Sequence, residues 1–184
     1  MARLCGQRRF LDSRGSIGHK WEKVGIAGRF VGTGRFIGTY YRALDSKGRL
    51  LLPPRFIEAL AGAAESAGHE RPSCWLTMLY NRITGYLPEA WEETVAKLCA
   101  IPMPSRQLSN FKTRLIGMAH EIFPDAQGRV RIPQPLARCG NLQKDIVLAG
   151  LMDKFEIWDQ GEFEAVPSED VSAELAASGI VVNL

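Results

Sequence analysis

From Phe36 onward the chain alternates short runs of apolar, aromatic and β-branched residues with Gly- and Pro-bearing breaks. That spacing predicts short strands and turns rather than long helices. Residues 39–44 and 49–52 read as strands, joined by Asp45-Ser46-Lys47-Gly48. Asp bonds the backbone two residues on, and Gly supplies the positive φ that closes a tight hairpin. Alternation then sends Arg49 and Leu51 to one face and Leu50 and Leu52 to the other. Pro53 and Pro54 stop the ladder and open a short helix expected over 55–60, ending near Gly62. Further on, Trp91, Val95 and Leu98 stripe a helix over 88–99. Leu108, Phe111, Leu115 and Met118 do the same over 105–118, and a weaker acidic helix is expected over 168–177.

The pattern then repeats. Asp45-Ser46-Lys47-Gly48-Arg49-Leu50-Leu51-Leu52-Pro53 returns as Asp125-Ala126-Gln127-Gly128-Arg129-Val130-Arg131-Ile132-Pro133, at a constant offset of 80. After each copy come an apolar run (74–78, then 146–149) and a second short strand (85–87, then 155–158). Two copies at so long a period indicate a duplicated half-domain, not a solenoid. Each unit, read as strand–turn–strand–helix–strand–strand, is too small to bury a core alone. The two are therefore expected to interleave in one β-rich α+β barrel with short helices.

Composition narrows the chemistry. No apolar run reaches the roughly 18–20 residues of a membrane-spanning helix. Cys5, Cys74, Cys99 and Cys139 show no CxxC pair and no His at ligand spacing, so free thiols are expected and neither a metal site nor a disulfide framework is. Arg8-Arg9 begins no export signal, because no apolar stretch follows it. The glycines from Gly28 to Gly38 fit no phosphate-loop spacing. His19, His69 and His120 lack motif context, and no hydrolase elbow or HExxH is present. An enzyme is not expected, nor a cofactor, nor a small-molecule ligand.

The net charge of +3 is uneven: residues 1–35 carry +6, which leaves −3 for the remainder. This first segment reads as a poorly structured basic extension. Either it adds phosphate contacts or the true start lies near Gly34. A mildly acidic body can hold nucleic acid only through a local basic cluster. Arg42, Lys47, Arg49 and Arg55 supply one, against Asp45 alone. Asp45, four residues before Arg49, can brace its guanidinium for phosphate or guanine edges. The second copy offers Arg129 and Arg131 but has Gln127 in place of a lysine. There the simpler reading, in which the Asp–Arg pair only staples its turn, is favoured.

The doubled D-x-x-G-R-[LV]-x-[LI]-P motif resembles the MraZ family. So do the segments Leu87-Pro88-Glu89-Ala90-Trp91-Glu92, Arg114-Leu115-Ile116-Gly117 and Lys154-Phe155-Glu156-Ile157-Trp158-Asp159. The resemblance covers about 36–163, and Ile37 departs from the Phe-Arg-Gly with which many members open. It implies a duplicated swapped-hairpin (double-split) β-barrel of the SpoVT/AbrB type, with repeats over 36–92 and 118–163. A helical connection over 93–117 would join them, and a tail over 164–184 would follow. It implies a cytoplasmic, nucleoid-associated DNA-binding regulator, commonly a repressor, of a division and cell-wall gene cluster that includes its own gene. Its partners would be promoter direct repeats in duplex DNA and copies of itself in a ring. The DNA-facing positions map to Asp45, Lys47 and Arg49, then Asp125 and Arg129, with Gly48 and Gly128 shaping the turns. Two alternatives stand beside this. One is a superfamily antitoxin, which the duplication disfavours; the other is a ring-forming protein-interaction module that binds no DNA.

Overall fold

The structure, a computed structural model, describes residues 10–11, 17–18, 35–102, 105–167 and 169–179. Two compact units divide the chain after Val31. In the first, β1 (Phe10–Leu11) pairs antiparallel with β2 (Ile17–Gly18). The expectation of an unstructured arm over 1–35 otherwise falls outside the described residues, Arg35 excepted.

The second unit holds β3 (Phe36–Ala43), β4 (Arg49–Leu51), α1 (Pro54–Ala67), β5 (Cys74–Leu79), β6 (Arg82–Tyr86), α2 (Pro88–Cys99) and α3 (Arg106–Gly117). It continues through β7 (His120–Ile122), β8 (Arg129–Arg131), α4 (Gln134–Cys139), β9 (Asp145–Met152), β10 (Lys154–Asp159), α5 (Gln160–Glu164) and α6 (Ser172–Ala177). It is an α+β fold with antiparallel pairing throughout. One six-stranded sheet runs in the order β3-β9-β10-β6-β5-β7, and β4 and β8 form a separate two-stranded ribbon.

The halves do interleave, but not as a simple hairpin reading expects. The strands flanking the first turn do not ladder with each other: β3 pairs with β9, and β4 pairs with β8. Each turn supplies only the reversal, and the other copy supplies the strand partner. No closed barrel forms among the described residues; the sheet and the ribbon stay distinct.

The cause of the exchange is burial. Leu50 and Val130, opposite one another at the ribbon's centre, are 0% and 1% exposed. Leu52 and Ile132 follow them into a shared core with Phe36, Phe56 and Phe155. These three rings meet at centroid distances of 4.8–5.2 Å, edge-on or tilted, a geometry that adds to simple burial. Gly85 makes room for them: a Cβ there would lie 2.2 Å from the Phe155 ring. On the opposite side of β5 and β6, α2 and α3 cover Tyr86 with Trp91 and Leu115, and Trp91 stacks on Trp75 at 5.6 Å. The Thr77 hydroxyl, wholly buried, donates to the Leu115 carbonyl and ties α3 to β5.

The helix over 88–99 has the bounds the periodicity predicts, and Ser105 caps α3 by accepting from the Leu108 N–H. The first helix is longer than expected. It passes through Gly62 to Ala67 and ends where Gly68 takes φ 71°. Burial of Ala59, Leu60 and Ala64 outweighs the cost of about 1 kcal/mol of an internal glycine. In the second copy the helix ends at Cys139, with Gly140 as its cap. The acidic segment forms only α6, over Ser172–Ala177.

Candidate functional site

The two turns are built alike, hydrogen bond for hydrogen bond. Asp45 Oδ1 accepts from the Lys47 and Arg49 amides at 2.8 and 2.9 Å, while Oδ2 accepts from Arg49 Nε at 2.7 Å. The Gly48 amide donates to the Asp45 carbonyl, and the Asp45 amide donates to that of Arg49. Asp125 repeats this with the amides of Gln127 and Arg129, both at 2.9 Å, and with Arg129 Nε at 2.9 Å. Gly48 and Gly128 take φ 68° and 75°, where a side chain is strained. Bonds from the Arg49 amide and side chain, together with the Lys47 amide, hold the Asp45 carboxyl at about 2, below its ordinary 3.8. The Asp125 carboxyl is lowered for the same reason. Both stay ionised at neutral pH, so each arginine has a fixed brace.

Reciprocal bonds join the turns. The Leu52 amide donates to the Gly128 carbonyl, and the Ile132 amide donates to the Gly48 carbonyl. With the register Arg49↔Arg131, Leu50↔Val130, Leu51↔Arg129, alternation sets Arg49, Leu51, Arg129 and Arg131 on the face away from the core. Like charges directly opposite destabilise a strand pair. Arg131 nevertheless sits across from Arg49, with no side-chain partner of its own among the described residues. The ribbon face is thus cationic, with Arg49 and Arg129 each held by a carboxylate of its own turn.

The remaining candidates lie around it. Lys47 sits in the turn and lines a shallow cleft with Arg131, Leu44 and Gln134. Arg42 lies on β3, its guanidinium 5.7 Å from the Tyr40 ring and bonded to the Tyr41 carbonyl. Arg55 is exposed in the first turn of α1. Among the described residues no hydrogen bond or ion pair ties Arg42 or Arg55 to the ribbon. Lys144 escaped the sequence reading. Its carbonyl accepts from the Leu44 amide at 2.8 Å, and the residue joins Gln143 in lining a second cleft against Asp45, Ser46 and Gly48. The pairing that carries it there joins positions 100 apart in sequence, and no local pattern announces it. No group of three or more His, Cys, Asp or Glu able to hold a metal occurs among the described residues. Cys74 is buried, whereas Cys99 and Cys139 are exposed, and all three are free thiols.

Fold and site together define a tandem-motif α+β protein, in which two Asp–Gly–Arg turns from opposite halves share one basic ribbon. The family model described as "MraZ protein, putative antitoxin-like" matches residues 35–110 and 115–179. Proteins named transcriptional regulator MraZ are similar over most of their lengths. That of Maridesulfovibrio salexigens is 39% identical over 79% of this chain and 97% of its own. That of Nitratidesulfovibrio vulgaris (strain Miyazaki F) is 40% identical over 81% and 99%. That of Anaeromyxobacter dehalogenans (strain 2CP-C) is 36% identical over 79% and 96%. The chain belongs to the MraZ family.

Proposed function

We propose that this chain is a transcriptional regulator, not an enzyme, and that it binds duplex DNA through the outward face of the β4–β8 ribbon. The observation that carries the reading is the register placing Arg49, Arg129 and Arg131 on one face, whose acids, Asp45 and Asp125, are both spent on the turns. The names of its relatives point the same way. The major groove admits a two-stranded ribbon, and arginine forks match guanine O6 and N7. Lys47, Arg42, Arg55 and Lys144 would add phosphate contacts around it. Arg49 contributes more than Arg129. Lys47 stands beside Arg49 in the first turn, where the second turn has the uncharged Gln127 beside Arg129.

One ribbon gives only a few phosphate contacts, enough for affinities of roughly 10⁻⁴–10⁻⁶ M at physiological salt. Function therefore rests on a ring-shaped homo-oligomer meeting direct repeats, in which each ribbon raises the effective concentration of the next. Exposed apolar residues on β3, the outer strand of the sheet, and on its neighbour support self-association: Ile37 and Leu151, opposite one another, and Tyr41. The cross-paired turns support the duplicated double-split barrel, with repeats over 36–92 and 118–163. The target is a division and cell-wall gene cluster that includes the chain's own gene, repressed at the nucleoid in the cytoplasm.

Fluorescence anisotropy tests this, using the duplex upstream of the chain's own coding sequence, a shuffled duplex and a salt series. Binding confined to the native duplex and falling steeply with salt is expected. Arg49→Ala should weaken it by about 2 kcal/mol, and Arg129→Ala by less. Equal or absent binding to both duplexes, indifferent to Arg49, would instead favour a protein-interaction module.

A further inference from the structure

The ribbon face carries one residue that charge does not explain. Leu51 is 49% exposed, directly opposite Arg129 and two residues along the strand from Arg49. A single exposed leucine is ordinary on a protein surface. This one, however, stands among three arginines, on the strand pair whose other face is the buried core. Its counterpart in the second copy is Arg131. The two ends of the ribbon therefore differ: one pairs Arg49 with Arg131, and the other pairs Arg129 with Leu51.

We propose that Leu51 is a specificity-determining residue that reads thymine through its C5 methyl group. The inference rests on the DNA-binding reading above and deepens it. In the major groove only thymine offers an apolar group, and aliphatic side chains recognise it by contact. The Leu51 side chain has no polar atom with which to contact a phosphate or a base edge. On a ribbon seated in the groove its exposed methyls meet either water or a thymine methyl. Two residues along a strand span about 6.8 Å, so the thymine read by Leu51 lies within about two base-pair steps of the contact made by Arg49. Fixed at either end, the ribbon reads guanine or phosphate through its arginine pair and thymine beside it. A site read in this way has a direction, which a ribbon with two identical ends could not impose. Because direct repeats all point one way, an asymmetric reading head suits them.

The test removes the methyl from the DNA rather than the ligand from the solution. The duplex upstream of the coding sequence is made once with thymidine and once with deoxyuridine throughout, and both are titrated with wild type, Leu51→Ala and Leu51→Met. Wild type should bind the thymidine duplex at least about fourfold more tightly, the value of one buried methyl-sized group, and more where several ribbons engage. Leu51→Ala should bind the two duplexes alike, and Leu51→Met should restore the preference. Wild type binding both equally, or Leu51→Ala keeping the full preference, overturns the role of Leu51 and leaves the regulator reading in place. No specific binding of wild type to the thymidine duplex overturns both.

Discussion

The two Asp–Gly–Arg turns share a backbone and differ in what they display. Both lock an aspartate to the amides two and four residues on and brace an arginine with the same carboxylate. Around that constant frame the first turn shows Ser46, Lys47 and Leu51, where the second shows Ala126, Gln127 and Arg131. The helices that follow differ too, 14 residues against six. What duplication kept is the set of bonds that shapes the turn and cross-pairs the strands. What it released is the outward face. Positions held by backbone geometry are constrained in both copies at once, because each turn's glycine carbonyl accepts from the other copy's strand. Outward positions other than the two braced arginines carry no such mutual obligation, and there the copies differ, giving a ribbon with unlike ends.

If the ribbon is one structural unit, injuring either half of its core should unfold both. Leu50→Ala should cost about 3 kcal/mol, since Leu50 is wholly buried and its loss leaves a cavity. Val130→Ala, which removes less, should cost about 2 kcal/mol. Urea unfolding of each variant, followed by far-ultraviolet circular dichroism and by tryptophan fluorescence, checks this. Coincident single transitions are expected. Two separated transitions in either variant would show that the halves fold independently and would break the comparison at its base.

That mutual dependence also marks where the sequence stops being legible. The turns could be read because their chemistry is local: an aspartate, a glycine and an arginine within five residues specify the reversal and the brace. The stripe of Trp91, Val95 and Leu98 placed α2 for the same reason. Strand partners are another matter. Every residue of β4 finds its mate about 80 positions away, and alternation records which face is buried without recording against what. Linear proximity misleads in the same way. Arg42, Lys47, Arg49 and Arg55 fall within fourteen residues, yet the structure sets Arg42 in the sheet and Arg55 on a helix, while Arg131 joins Arg49 from the other copy. Gly62 looked like a stop because glycine often is one; the buried Ala59, Leu60 and Ala64 around it decided otherwise.

A smaller effect separates the turns themselves. Gly48 and Gly128 both sit at positive φ, so alanine at either should cost about 1 kcal/mol in strain. The surroundings differ. A Cβ at Gly48 meets nothing within 4 Å, whereas one at Gly128 would touch Ile57 at 3.4–3.5 Å, ordinary packing distance. Gly128→Ala should therefore recover a few tenths of a kcal/mol of its strain through that contact, and Gly48→Ala should recover none. Denaturant midpoints at constant m-value measure the pair. The reverse order would mean that α1 crowds the second turn, and that the copies differ in backbone as well as in display.

The smallest difference lies in the two carboxylates. Asp45 is held at about 2 and Asp125 is lowered from 3.8, in each case chiefly by the backbone N–H of the arginine four residues on. A carboxyl with a depressed folded pKa stabilises the fold fully above its unfolded value, and this contribution fades as pH falls toward the folded value. Both turns should thus be intact at pH 5, and the first should lose its support as pH falls from about 4 toward 2. Carboxyl carbon chemical shifts, followed by NMR from pH 6 to 1.5, read both groups in one sample. A midpoint near 2 for Asp45 and one below 3.8 for Asp125 are expected, as is a simultaneous shift at Arg49 Nε when the brace lets go. Should Asp45 instead titrate near 3.8, the brace is not held in solution. Any advantage of the first copy in binding DNA then rests more heavily on the charge of Lys47, which no carboxylate holds among the described residues, and Lys47→Gln should reduce it.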